Sequence, residues 1–104
     1  MASTEAQVSL NGVTAAGPGS TVDFATARRD VTAMLIPSAT LSAGIVTIEG
    51  SQDGTNWAQV RVIELAAREN SVVNFTGYAL RYWRASVART VSGGTVKVTF
   101  MEAG

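Results

Sequence analysis

The sequence predicts an all-β domain: an antiparallel β-sandwich, jelly-roll-like, of about eight strands. Three observations lead there. Apolar and polar residues alternate in short runs, most cleanly where Val96, Val98 and Phe100 interleave with Lys97 and Thr99. Turn residues punctuate the chain every ~8–12 positions, and Gly occurs ten times. The strand patterns do not alternate with helical ones, which disfavours a parallel α/β sheet.

Taken in order, Gln7–Val13 is a first strand, with Val8 and Leu10 alternating. Ala15-Ala16-Gly17-Pro18-Gly19-Ser20 then reads as a turn, because Gly and Pro together interrupt strand and helix alike. A second strand, Thr21–Ala25, carries Val22 and Phe24, and Ala27-Arg28-Arg29-Asp30 is a polar connection. The third strand, Asp30–Ser38, has Val31, Ala33 and Leu35 on one face and Met34 and Ile36 on the other. Apolar residues on both faces predict a strand covered twice, and Pro37, which lacks an N–H, ends it or places it at an edge.

Leu41-Ser42-Ala43-Gly44 makes the next turn. Ile45–Gly50, the fourth strand, sets Val46 and Ile48 against Thr47 and Glu49. Asp53-Gly54 between two strand patterns signals a hairpin, since Gly accepts the positive φ such turns demand. The fifth strand, Trp57–Ile63, has Val60 and Val62 on one face and Trp57 and Ile63 on the other, which leaves its register open. Glu64–Asn70 favours helix by composition but is too short for more than one turn. Ser71–Thr76 is the sixth strand and Ala79–Ala88 the seventh, with Trp83, Ala85 and Val87 in phase. Ser92-Gly93-Gly94 reads as a hairpin turn into the last strand, Thr95–Met101.

The chain has 104 residues, which fits one domain: a polar N-terminal arm over residues 1–6 and a single sandwich over 7–104. Hydrophobic residues make up 46% and charged residues 15%, the opposite of a disordered chain. Eight basic and eight acidic residues give zero net charge, which argues against a binder held by nucleic-acid phosphates. No apolar run approaches the ~20 residues of a membrane-spanning helix. Met1–Gln7 lacks the basic and apolar regions of a signal peptide, so synthesis in a cytoplasm is expected. A free monomer is usually kept soluble by a charged surface. Low charge therefore predicts either a surface covered by a partner or one made polar by Ser and Thr.

The chain contains no Cys and no His, so disulfides, thiolate and imidazole ligands and the commonest catalytic base are all missing. Lys97 is the sole Lys beside which a Ser could act, but it sits in a plain alternating strand. The acids Glu5, Asp23, Asp30, Glu49, Asp53, Glu64, Glu69 and Glu102 are scattered, mostly at turns and strand ends. Asp53 and Asn56 share a loop but lack the alternating acids of a calcium loop. No enzyme is expected, and no catalytic, cofactor-binding or metal-ligating residue is assigned. Trp57, Tyr78, Tyr82 and Trp83 are candidates for sugar stacking or protein contact. Trp83, in phase with Ala85 and Val87, reads as core, whereas Tyr82 points to the opposite face. Arg28, Arg29, Arg81, Arg84 and Arg89 read as a solvated face or as rim contacts.

Two segments carry a family resemblance. Val46-Thr47-Ile48-Glu49-Gly50-Ser51-Gln52-Asp53-Gly54-Thr55-Asn56-Trp57 is followed by Gly77-Tyr78-Ala79-Leu80-Arg81-Tyr82-Trp83-Arg84-Ala85-Ser86-Val87, and Ser92-Gly93-Gly94-Thr95-Val96-Lys97-Val98 closes the order. Over roughly residues 44–100 this resembles small tailed-bacteriophage virion proteins that decorate the capsid. The resemblance implies a non-enzymatic capsid decoration or minor capsid protein, without cofactor. It would sit on the virion surface, bind the major capsid protein and form a trimer or dimer there. The hairpin and the Arg-Tyr-x-Arg strand also resemble part of discoidin-type carbohydrate-binding jelly rolls. A sugar-binding module and a tail or fibre component are thus the alternatives.

Overall fold

The computed structural model describes residues 6–102, so the expected polar arm lies outside the described residues apart from the exposed Ala6. Seven strands follow one another: β1 (Gln7–Val13), β2 (Gly17–Pro18), β3 (Val22–Pro37), β4 (Ala43–Ser51), β5 (Ala58–Glu64), β6 (Ser71–Ser92) and β7 (Val96–Glu102). All pairings are antiparallel, in the order β1-β7-β3-β6-β4-β5, with β2 attached to β6.

Two layers arise because β3 and β6 are long and bent. The far end of β3, Val31–Leu35, pairs with Ser71–Phe75 of β6 on one side and with β7 on the other, and β1 flanks β7. These four segments form the first layer. The far half of β6 pairs with β4, and β4 with β5; the start of β3 and the short β2 lie on β6's other side. These form the second layer. A strand that passes from one layer to the other needs a corner, and bulges or positive φ values supply it. Between Asp23 and Asp30 the β3–β6 register shifts twice, Ala25 has φ 69° and Gly77 has φ 87°.

Two sequence expectations are corrected here. The second and third strands are one strand, and so are the sixth and seventh, because Ala27–Asp30 and Gly77 bend the backbone without ending its ladder. Two such mergers and the added bridge at Gly17–Pro18 turn eight strands into seven. The Ser92-Gly93-Gly94 turn is not a hairpin, since β7 pairs with β1 and β3; it carries the chain across the sandwich. The Asp53-Gly54 hairpin joins β4 to β5 as expected.

The inner faces of both layers meet in an apolar core. Trp83 of the second layer lies with its ring centroid 5.2 Å from Phe75 and 6.2 Å from Phe100 of the first. Its indole Nε1–H donates to the Leu80 carbonyl at 3.2 Å, so the ring is buried without leaving its polar atom unsatisfied. Leu35, Val31, Val96, Val98, Val46 and Ile48 complete the packing. At ~1.5–3 kcal/mol for each fully buried side chain, this core dominates the folding energy. The layers are also tied at β1. Ser9 Oγ accepts the Ala85 N–H at 2.9 Å and donates to the Ser20 carbonyl at 2.7 Å, and Thr14 O accepts the Val91 N–H at 2.9 Å.

Candidate interaction surface

Alternation that buries one side chain in two leaves the others on the outside, and the two outer faces differ. On the first layer, Val8, Thr99, Met34 and Val72 stand in one row across four strands, as the pairings Val8–Thr99, Thr99–Met34 and Met34–Val72 require. The next row holds Met101, Thr32 and Asn74, with the Thr32 hydroxyl donating to Asn74 Oδ1 at 2.8 Å. Val72 is 59% exposed, Val8 41%, Met101 40% and Met34 37%. A shallow apolar groove runs over Ala6, Thr32, Met34, Val72, Thr99 and Met101. The two rows are uncharged. Lys97 lies beyond them at one end, paired with Ile36, and Asp30 at the other, paired with Thr76. Glu102 reaches the groove's margin, but its nearly enclosed carboxylate is ion-paired with Arg28 of the corner. The third strand is thus covered on one side only: Val31, Ala33 and Leu35 are buried, whereas Met34 faces outward and Ile36 is half-buried.

The second layer is charged outside. Arg84 Nε donates to Glu49 Oε1 at 2.6 Å, and Arg81 contacts both carboxylate oxygens of Asp23 at 2.7 and 3.0 Å. Arg81 and the backbone N–H of Ala25 hold the Asp23 carboxyl below its usual range. Val62 is the large apolar side chain exposed on this face, opposite Thr47. The structure separates it from Val60, with which the sequence pattern grouped it. A register shift places Ile48 opposite Arg61 and Glu49 opposite Gln59, so Val60 is the extra residue and packs on the core. This bulge, and Arg61 lying 5.4 Å from the Phe75 ring centroid, blunt the β5 edge against pairing with another strand.

The aromatic candidates divide accordingly. Trp83 is core. Trp57 is half-buried beneath the Arg84 guanidinium, 4.1 Å from the ring centroid. Tyr82, the expected surface residue, is half-buried: Gly54 lies against its ring and Arg81 stands 4.8 Å from its centroid. Tyr78 is 41% exposed yet packs edge-on to Phe75 and Trp83. The four rings do not line a common groove.

The Asp53 loop is occupied by its own donors. The carboxylate accepts the Asn56 N–H at 2.8 Å, the Asn56 side-chain amide at 2.7 Å, the Thr55 N–H at 2.8 Å and the Ser51 hydroxyl at 3.0 Å. These donors hold it well below the normal carboxylate range. Oxygens satisfied in this way complete a turn. Lys97 is half-buried at the end of the uncharged face, and among the described residues no three His, Cys, Asp or Glu side chains gather.

No family model matches the chain, and no curated protein matches it in sequence. Among solved structures, the SPBc2 prophage-derived protein YomS is similar in fold, with a TM-score of 0.72 over 95% of this chain and 92% of that one, at 10% identity.

Proposed function

We propose that this protein is a non-enzymatic structural component of a phage particle, a capsid decoration or minor capsid protein that binds and stabilises the shell of major capsid protein. The observation that carries the reading is the division of its exterior. One face is apolar and uncharged across four strands, and the other carries charged side chains, among them the Arg81–Asp23 and Arg84–Glu49 pairs. An exposed apolar patch of a few hundred Å² is often a functional surface. Burial there is worth ~25 cal/mol per Å² of apolar area and is multiplied over every copy on a shell. The likeness in fold to a prophage-derived protein supports a phage setting. On a shell, copies would cluster as trimers or dimers about symmetry axes. The sugar-binding alternative is disfavoured, because the rings form no shared platform: Arg84 covers a face of Trp57, Arg81 and Gly54 lie against Tyr82, and the exposed Tyr78 packs edge-on to Phe75 and Trp83.

The test is co-sedimentation of the purified protein with shells lacking it, together with mass spectrometry of purified virions. Stoichiometric binding and presence in the virion are expected. Recovery with detached tails would assign it to the tail, and absence from virions combined with no shell binding would overturn the proposal.

A further inference from the structure

Resting on that reading, we infer that the first layer's outer face takes an apolar, uncharged protein surface repeated in an array, and holds it only when several copies engage together. Charge is the first argument. Neither central row offers a counter-ion, so a partner's charged group placed there would lose water and gain nothing in return. The matching surface is therefore uncharged, and attachment owes little to long-range attraction.

Area is the second argument. Four strands at ~4.8 Å spacing, with seven residues of β7 at ~3.3 Å each, mark out on the order of 400 Å². A stable interface takes ~800 Å² from each partner. The face supplies about half of that, too little for a lasting one-to-one complex or an isolated two-fold dimer. Retention then depends on linked copies and the high effective concentration that linkage creates. Side-chain type is the third argument. Met34 and Met101 supply two of the four exposed large apolar groups, and the unbranched thioether adapts to surfaces that are alike but not identical. Repeated sites on a closed shell present such surfaces.

The experiment compares binding to assembled shells with binding to dissociated shell subunits, from low salt to about 1 M. It uses the wild type, Met34→Glu, Val72→Glu and, as a control on the opposite layer, Val62→Glu. Circular dichroism first confirms that all four fold. Shell binding is expected to stay within about twofold across the salt range, because screening acts on charges. It should fall roughly tenfold or more in Met34→Glu and Val72→Glu, as for anchors at an interface centre, and be unchanged in Val62→Glu. Dissociated subunits should bind far more weakly than shells. Loss of binding in high salt would overturn the inference in favour of the charged layer, and equal affinity for single subunits would overturn the array requirement. A stable wild-type dimer broken by Met34→Glu would assign the face to a second copy. In each of these cases, shell binding by the wild type leaves the proposed function standing; only failure of the wild type on shells and in virions removes both.

Discussion

Gly19 shows how tightly the chain is threaded at β1. Its N–H donates to Ala85 O at 2.8 Å and its neighbour Ser20 donates to Ser9 O at 2.7 Å, so the segment is clamped between both layers. A Cβ at Gly19 would overlap the Ser9 carbonyl oxygen and meet Leu10 Cδ2 at 2.6 Å. Backbone cannot step aside as a side-chain tip can, so Gly19→Ala is expected to cost about 2 kcal/mol, measured by urea denaturation. Asp53 works through hydrogen bonding. Its folded-state pKa, like that of Asp23, lies below the unfolded value, so the stabilisation is complete above about pH 5 and drains away as pH falls toward the folded pKa. Asp53→Asn should unfold more readily at pH 7 and lose less of its remaining stability between pH 5 and pH 2.5 than the wild type, as followed by thermal midpoints.

At the scale of elements, the corner shared by β3 and β6 governs the architecture. Gly77 sits at φ 87° with nothing within 4 Å of the place a Cβ would occupy. Gly77→Ala is then a backbone change alone and should cost about 1 kcal/mol. Ala25, already at φ 69°, gives the reciprocal test: Ala25→Gly relieves a left-handed Ala but loosens the unfolded chain. A net change within about 0.5 kcal/mol is expected, read from the same denaturation curves. The corner also explains what the sequence left hidden. β1 was legible to the residue, and the inward phases of Trp83-Ala85-Val87 and Val96-Val98-Phe100 were correct, because a period of two fixes which side chains are buried. Arg28-Arg29-Asp30 and Gly77 look the same in sequence whether a strand stops or bends; only the partner strand decides. The bulge at Val60 was equally invisible, since it is defined by the opposing residues of β4.

For the whole molecule, the uncharged face was half legible. Met34 and Ile36 stood out as a second apolar side of one strand, and low charge left open a covered surface or one made polar by Ser and Thr. Their alignment with Val8, Val72 and Met101 was not readable, because these residues come from four strands whose order no local pattern encodes. Exposed positions away from special features change stability by about 0.5 kcal/mol or less. Val72→Glu should therefore leave the melting temperature nearly unchanged while raising solubility, checked by calorimetry and by precipitation with ammonium sulfate.

β3 and β6 each run unbroken through both layers. A pull on one outer face is consequently carried to the other by covalent backbone, where two independent sheets would share it only through side-chain contact. The corner at Ala25 and Gly77 is therefore the joint through which both long strands couple the two faces.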